Sequence, residues 1–155
     1  MAELDSVISD IRTTIFDLQA HEVVAHGVRA GVLQLTGDAA DRLGFEPRVH
    51  FRGPVDTVVD DETGEQLLAV LRESLSNVIR HADAKAVEVT LSAERGELVL
   101  TVGDDGVGPP CAAPETGSGL GNMESRAAAL LGTFAVRAND PRGTLVEWRV
   151  PIGTD

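Results

Sequence analysis

The chain has 155 residues, of which 43% are hydrophobic, and this is enough for one domain with a sizeable core. Its net charge is -12, and because an acidic surface repels phosphate groups we expect no direct contact with nucleic acid or an anionic membrane. Cys111 is the only cysteine, which excludes an internal disulfide or a metal-thiolate cluster and favours a reducing compartment, the cytoplasm.

Three helical patterns occupy most of the first half of the chain. Apolar residues recur every three or four positions over residues 4–18, 22–43 and 62–82, which predicts amphipathic helices. The first pattern lacks a basic flank and a long apolar run, so we expect neither a signal peptide nor a membrane span there. Residues 46–51 predict a strand with Val49 and Phe51 on one face.

The second half is rich in strand patterns. Residues 86–93 and 97–103 alternate apolar and polar side chains and predict a hairpin with its turn at residues 94–96. A helix is predicted over residues 122–131, followed by strands over residues 133–138 and 144–151. Helices first, then strands with one inserted helix, predict an α+β two-layer sandwich with helices on one face of a mostly antiparallel sheet.

The third helix carries a polar stripe opposite its leucines. Glu73, Asn77 and His81 are spaced by four residues each, so they share one face of an α-helix. Asn77 is a poor helix former, and its neutral amide oxygen suits a hard cation such as Mg²⁺. Arg80 offers charge to phosphate oxygens. A solvated polar face is the alternative interpretation of this stripe taken alone.

A first glycine cluster follows the predicted strand over residues 97–103. The carboxylate of Asp104 can accept a hydrogen bond from an exocyclic amine such as that of adenine. Gly106 and Gly108 allow the backbone to approach a ligand closely. A purely structural Asp-Asp-Gly turn, which includes Asp105, is the alternative interpretation.

A second glycine cluster precedes the helix predicted over residues 122–131. The N–H groups at the start of a helix can bind phosphate, so Gly117, Gly119 and Gly121 indicate a phosphate site or, alternatively, a flexible linker. Residues 109–116 between the two clusters are small and proline-rich, which predicts a mobile lid.

Three motifs in this order resemble the N box and the two glycine boxes of the GHKL ATPase family: Glu73-x-x-x-Asn77, Asp104-x-Gly106-x-Gly108 and Gly117-x-Gly119-x-Gly121. In addition, Gly143-Thr144 resembles the Gly-Thr that enters the last strand of that family. The resemblance covers residues 46–151. It implies a Bergerat fold, an α+β sandwich with a mixed, mostly antiparallel sheet, that binds ATP with Mg²⁺.

Residues 73–82 further resemble the N box of NarL/DesK-type sensor histidine kinases. This resemblance implies that Asn77 binds Mg²⁺, that Asp104 binds the adenine amine, and that Glu73 is catalytic, polarising or positioning a metal-bound water. It also implies that Arg80 and His81 contact the phosphates. The other nucleotide-binding positions that it implies are Gly106, Gly108, Gly117, Gly119, Leu120, Gly121 and Thr144.

The first residues resemble the end of the dimerisation helix of these kinases. We therefore expect residues 1–20 to end that helix and residues 21–155 to form the catalytic ATP-binding domain. The acceptor histidine of the family lies on the first dimerisation helix, and His21 lacks the sequence around such a site, so we interpret it as a structural or surface residue. The implied partners are the dimerisation and phospho-acceptor domain of the same kinase and a response regulator.

The first helix and the small-residue lid together resemble the mycobacterial DevS/DosT group of sensor kinases. That resemblance implies a haem-bound gas sensor upstream. The main prediction is the ATP-binding domain of a protein-histidine kinase. One alternative is an anti-sigma-factor-type serine kinase, and another is a nucleotide-gated interaction module without phosphotransfer. The pattern over residues 11–18 favours the histidine kinase.

Overall fold

The computed structural model describes residues 27–108 and 119–152, and for His81, Ala82 and Gly119 it describes the backbone alone. The predictions for the helix over residues 4–18, for His21, for the lid over residues 109–116 and for Gly117 lie outside these ranges. The helix that was predicted to begin at residue 22 is described from Val28.

The described ranges contain four α-helices: α1 (Val28–Leu43), α2 (Val55–Val58), α3 (Asp61–Asn77) and α4 (Gly119–Ala129). The Asp60 side chain caps α3, because its Oδ1 accepts the N–H of Thr63 at 2.7 Å. Beyond Asn77 the chain continues into a π-helical turn, Val78–Ala82. Within the described ranges, none of the helices combines the length and hydropathy that a membrane span needs.

Five strands form one sheet: β1 (Arg48–Arg52), β2 (Val87–Glu94), β3 (Glu97–Asp104), β4 (Thr133–Ala138) and β5 (Thr144–Pro151). The strand order is β1-β2-β3-β5-β4, with β1 parallel to β2 and all other neighbours antiparallel. Arg95 and Gly96 both have positive φ angles, of 55° and 76°, as a two-residue hairpin turn requires. The predicted mixed, mostly antiparallel sheet is confirmed.

The core lies between one face of the sheet and helices α1, α3 and α4. Residues of β2 and β3 alternate between buried and more exposed positions, so one face of this hairpin packs inward. The predicted leucine stripe of α3 is confirmed, since its leucines are at most 3% exposed: Leu67, Leu68, Leu71 and Leu75. Trp148 of β5 is fully buried beside them in the same core.

The other face of the sheet is polar. Arg149 of β5 donates to Glu97 of β3 at 2.6 Å and to Glu147 at 2.9 Å, and Glu147 also pairs with Arg137 of β4. These hydrogen bonds, the one that Arg149 donates to Glu147 foremost, raise the pKa of Arg149 above its ordinary value. Because the groups are partly exposed, each pair adds little stability, and their charges mainly keep this face in water.

Three local predictions differ from the structure. The short α2 was not predicted, because four residues are too few to show a helical period. Helix α4 begins at Gly119 rather than at residue 122, because Leu120 packs against the core and draws the first turn into the helix despite its glycines. The predicted helix over residues 62–82 is α-helical only to Asn77, where the winding widens to a π turn.

Candidate nucleotide-binding site

Two side-chain hydrogen bonds join α3 to α4. Ser74 Oγ donates to Met123 Sδ at 3.3 Å, and Arg126 Nη1 donates to Gln66 Oε1 at 2.8 Å. Gln66 near the start of α3 contacts Arg126 late in α4, whereas Ser74 near the end of α3 contacts Met123 earlier in α4. The two helices therefore run in opposite directions. The C-terminal end of α3, which carries the predicted polar stripe, consequently lies towards the first turn of α4.

Asp105 joins the end of β3 to the segment that follows the π turn. Its Oδ1 accepts the N–H groups of Lys85 at 2.7 Å and Ala86 at 2.9 Å, and its own N–H donates to the carbonyl of Ala86 at 3.3 Å. The structure thus brings the end of α3, the end of β3 and the first turn of α4 to one edge of the molecule. The contacts of Asp105 are with main-chain groups of the fold, so Asp105 itself has a structural role.

The hydrogen bonds to Asp105 make its contribution to stability dependent on pH. The N–H of Lys85, and after it that of Ala86, hold the pKa of this carboxyl below its ordinary value. A lowered folded-state pKa stabilises the fold above the unfolded-state pKa, and this stabilisation is lost as the pH falls through the folded-state pKa. We expect wild type to lose stability relative to Asp105→Asn as the pH falls below about 4, the ordinary aspartate pKa.

Urea unfolding of both chains between about pH 7 and pH 2.5 measures this difference. The difference in unfolding free energy should stay constant above about pH 6, because both aspartate pKa values lie below that range. Parallel stability curves over the whole range would contradict the lowered pKa.

Asp104 is a buried polar group at this edge, with 5% of its surface exposed. Its Oδ1 accepts the N–H of Gly106 at 2.8 Å and the N–H of Thr144 at 3.3 Å. Buried carboxylates require such donors, because water is not there to solvate them. The donors belong to the first glycine cluster and to the start of β5, so residues 40 positions apart hold one carboxylate.

The turn between β4 and β5 packs directly against the backbone of Asp104. Gly143 has a φ of 102°, and a Cβ atom added to it would lie 1.9 Å from the carbonyl oxygen of Asp104. Gly108 also has a positive φ, of 98°. Glycine at residue 143 is therefore required both by backbone conformation and by the close approach of the two segments.

We expect Gly143→Ala to destabilise the fold by about 2 kcal/mol or more, because alanine is strained at this φ and its Cβ would overlap a carbonyl. Thermal or urea unfolding measures the loss. Gly37→Ala is the matched control, since residue 37 lies in α1 and nothing lies within 4 Å of an added Cβ. The control should gain about 0.5–1 kcal/mol from the better helix propensity of alanine. Equal stability of the two variants would show that the close approach is unimportant.

The predicted polar stripe is present on α3 at Glu73 and Asn77, both half-buried. One nitrogen of Arg80, Nη2, donates to Asn77 Oδ1 at 3.3 Å and lies 3.5 Å from Glu73 Oε1. The Arg80 side chain is 56% exposed, so these contacts are weak and easily exchanged. The backbone of His81 lies in the π turn, outside the α-helical spacing that the stripe assumed.

The other predicted positions are distributed over the same edge. Gly106 is buried and Gly108 half-buried after β3, while Leu120 and Gly121 are half-buried in the first turn of α4. Thr144 contributes its main-chain N–H to Asp104 rather than a described side-chain contact.

Two further residues, Asn139 and Arg142, contact the first glycine cluster but were not singled out from the sequence. Asn139 Nδ2 donates to the carbonyl of Asp104 at 3.0 Å, and Arg142 Nε donates to the carbonyl of Gly106 at 3.0 Å. The sequence showed only a turn at this position, and turn composition does not reveal what the turn contacts.

The polar groups at this edge are of the kinds that can hold a nucleotide together with a hard cation. The described residues contain no cluster of three or more His, Cys, Asp or Glu side chains that could enclose a metal. Asn77 and Glu73 instead offer oxygen ligands one helical turn apart, which suits Mg²⁺ that is held by few side chains together with phosphates and water.

The chain is similar to several known proteins. The chain is 31% identical over 154 residues to the sensor histidine kinase NarS of Mycobacterium tuberculosis, with 99% of this chain and 34% of NarS covered. Among solved structures, the histidine kinase domain of the Erythrobacter litoralis EL346 blue-light activated histidine kinase has a TM-score of 0.66 and 24% identity, covering 81% of this chain and 61% of that one. The ATP binding domain of PrrB from Mycobacterium tuberculosis has a TM-score of 0.64 and 18% identity, with coverages of 83% and 96%.

The structural neighbours confirm the predicted fold, and the relatives confirm the resemblance to NarL/DesK-type sensor histidine kinases. They do not favour the serine kinase or the interaction module. The resemblance to the DevS/DosT group stays a prediction.

Three curated relatives match nearly the whole of this chain, and the chain spans 34–39% of their own length. The sequence model for "Histidine kinase-, DNA gyrase B-, and HSP90-like ATPase" matches residues 62–154, more than half of the chain. The chain therefore belongs to the family of histidine kinase-, DNA gyrase B- and HSP90-like ATPases.

Proposed function

We propose that this chain is the catalytic ATP-binding domain of a two-component sensor histidine kinase, with residues 21–155 as the domain and residues 1–20 as the end of a dimerisation helix. It binds Mg-ATP and donates the γ-phosphate to a histidine on the dimerisation domain. The observation that carries the proposal is the buried Asp104 carboxylate, held by two main-chain N–H groups at the edge where the ends of α3 and β3 meet the start of α4.

Asp104 is the residue that we assign to adenine. Its Oδ1 already accepts two N–H groups, so we assign Oδ2 to the 6-amino group of the base. A carboxylate that is fixed before the ligand arrives loses little side-chain entropy on binding. A carbonyl at the same position of the purine, as in guanine or hypoxanthine, would face the carboxylate with a second acceptor and would be rejected.

Asn77 and Glu73 are the residues that we assign to Mg²⁺ and its water. When bound, Mg²⁺ neutralises charge on the phosphates as the γ-phosphoryl group is transferred. Asn77 Oδ1 would bind the cation, and Glu73 would polarise or position a metal-bound water. Arg80 contacts both residues, so its guanidinium has to leave Asn77 Oδ1 when a cation binds there, and it then becomes available to the phosphates.

The glycines and the first turn of α4 are the groups that we assign to the phosphates. Helix N-termini attract anions through their N–H groups and their dipole. Gly119, Leu120 and Gly121 form that turn. We further assign Gly106 and Gly108 to close backbone approach, and Gly117, His81 and Thr144 to the nucleotide as the family resemblance implies.

The proposed partners are the dimerisation and phospho-acceptor domain of the same kinase and a response regulator. We propose a cytoplasmic location, where ATP and Mg²⁺ are available. A haem-bound sensor upstream follows only from the resemblance to the DevS/DosT group.

Nucleotide titration with and without Mg²⁺, followed by phosphotransfer to a separately produced dimerisation segment, tests the proposal. We expect Mg²⁺-dependent ATP binding and an acid-labile phosphohistidine on the segment. ATP binding without any phosphohistidine would overturn the assignment as a histidine kinase, and an acid-stable phosphoserine on a protein substrate would favour the serine kinase. No binding of ATP would remove the proposal altogether.

A further inference from the structure

The turn between β4 and β5, residues 139–143, contacts the segment from Asp104 to Gly106 through side chains as well as through Gly143. Asn139 Nδ2 donates to the carbonyl of Asp104 at 3.0 Å. Arg142 Nε donates to the carbonyl of Gly106 at 3.0 Å. The turn closes on itself, because the N–H of Asn139 donates to the carbonyl of Gly143 at 3.0 Å. The turn therefore holds Asp104, the residue assigned to adenine, and Gly106, which donates to its carboxylate.

The side chain of Asn139 forms a hydrogen bond at the point where the pairing between β3 and β5 ends. The last residue pair of these two strands is Gly103 with Leu145. The carbonyl of the next residue, Asp104, accepts its hydrogen bond from the Asn139 side chain and not from β5. Gly103 provides the room, since a Cβ added there would lie 3.2 Å from Asn139 Nδ2. The side chain thus replaces a ladder hydrogen bond on the β5 side of Asp104, where the pairing with β5 has ended, while on its other side Asp104 is still paired with Val87 of β2.

Arg142 restricts the residue that donates the shorter hydrogen bond to the Asp104 carboxylate. The N–H of Gly106 lies 2.8 Å from Asp104 Oδ1, and its carbonyl accepts Arg142 Nε. Glycine has more backbone freedom than any other residue, so this second contact limits the rotation of its N–H away from the carboxylate.

We propose that Asn139 and Arg142 are positioning residues that set the selectivity of the site for adenine, acting through the orientation of the Asp104 carboxylate. The inference rests on the proposed function of Asp104. Hydrogen bonds weaken steeply as their angle departs from linear, so a carboxylate that rotates distinguishes an amine from a carbonyl less well. Neither side chain contacts the nucleotide in this proposal, and loss of either one reduces selectivity without removing the carboxylate.

The test measures the affinity of the chain for ATP and for inosine triphosphate, which carries a carbonyl in place of the 6-amino group. The readout is the ratio of the two affinities. A general loss of structure lowers the affinity for both nucleotides and leaves the ratio of the affinities unchanged. The ratio therefore reports on the positioning of the carboxylate. Thermal unfolding of every variant is recorded alongside it.

Asn139 is tested by two variants that differ in one contact. Its Oδ1 also accepts the N–H of Asp140 at 3.0 Å. Asn139→Asp keeps this acceptor and removes the Nδ2 donor, whereas Asn139→Ala removes both. We expect the ATP preference to fall about three- to tenfold in both variants, the range of one neutral hydrogen bond. A normal preference in Asn139→Asp would overturn the role of Asn139.

Arg142 is tested by two neutral variants of similar length. Arg142→Gln can place an amide nitrogen at the ε position, where arginine has Nε, whereas Arg142→Met places a methyl group there. We expect Arg142→Gln to keep the ratio of the ATP and inosine triphosphate affinities, and we expect this ratio to fall about three- to tenfold in Arg142→Met. An equal loss in both variants would assign the effect to the charge of Arg142 and overturn the positioning role.

The same variants in an Asp104→Ala background separate this inference from the proposed function. If wild type shows no preference for ATP over inosine triphosphate, the adenine role of Asp104 fails and the inference fails with it. If wild type shows the preference and Asp104→Ala loses it, the adenine role stands, and Asn139→Asp and Arg142→Met should then add no further change to the ratio. A further change of the ratio in that background would show that the turn acts independently of Asp104 and would overturn the inference.

Discussion

Replacing Asp104 by asparagine should lower the affinity for ATP by about 10- to 150-fold, the range expected for a lost hydrogen bond to a charged group. Asparagine keeps the shape of the side chain and one oxygen, which can still accept the N–H groups of Gly106 and Thr144. Its other terminal atom becomes an NH₂ donor that faces the amine of adenine. Selectivity should therefore be lost while the fold is retained.

Calorimetric titration with ATP and with a guanine nucleotide measures the effect of Asp104→Asn. Asp104→Ala should also abolish adenine-specific binding, but it leaves the buried N–H of Gly106 and the half-buried N–H of Thr144 without their acceptor and should lower the stability as well. Asp105→Asn is the control, because the neighbouring carboxylate bonds the backbone of Lys85 and Ala86 instead. Unchanged ATP affinity in Asp104→Asn would remove Asp104 from the adenine role.

Asn77→Ala should remove most of the gain in ATP affinity that Mg²⁺ provides, because we assign Asn77 Oδ1 to the cation. We expect a loss of about tenfold or more in the presence of Mg²⁺ and little change in its absence. Arg80 keeps its contact with Glu73 in this variant, so the loss reports on the amide oxygen.

Titrations of ATP at increasing Mg²⁺ concentration check the effect of Asn77→Ala. Ser76→Ala is the control on the same helix, since Ser76 is also half-buried and has no assigned role. Asn77→Asp, which supplies an oxygen ligand with a charge, should retain Mg²⁺ dependence. The same Mg²⁺ dependence in wild type and Asn77→Ala would assign the cation to other ligands.

Much of the fold could be predicted because its elements show their period locally. The leucines of α3 recur at helical spacing, and β2 and β3 alternate between apolar and polar residues. The strands Thr133–Ala138 and Thr144–Pro151 have the predicted bounds, because a polar turn separates two short apolar runs. The start of α4 was wrong by three residues because glycine disfavours helix, and only packing of Leu120 against the core offsets that preference.

The sequence could predict which residues belong to the candidate site, but it could not predict how these residues contact one another. The sequence showed glycines and a polar stripe and singled out Asp104, but it could not show which groups bond Asp104 and Asp105. In the structure, Asp105 bonds the backbone at the start of β2, whereas Asp104 is buried and bonded by Gly106 and Thr144. This distinction depends on segments that are far apart in sequence, which periodicity cannot report.

The sequence by itself determined the fold class, the ATPase family resemblance and the residue types at the site, because these depend on local spacing and side-chain chemistry. Tertiary structure alone decided which carboxylate is buried, where the α-helical winding of α3 ends, and that Asn139 and Arg142 hold the strand end. The physical reason is that a buried polar group has to be satisfied by whichever donors the fold brings to it. At Asp104 one donor, the N–H of Gly106, is two residues away, whereas Asn139 Nδ2 and the N–H of Thr144 come from 35 and 40 residues further along the chain.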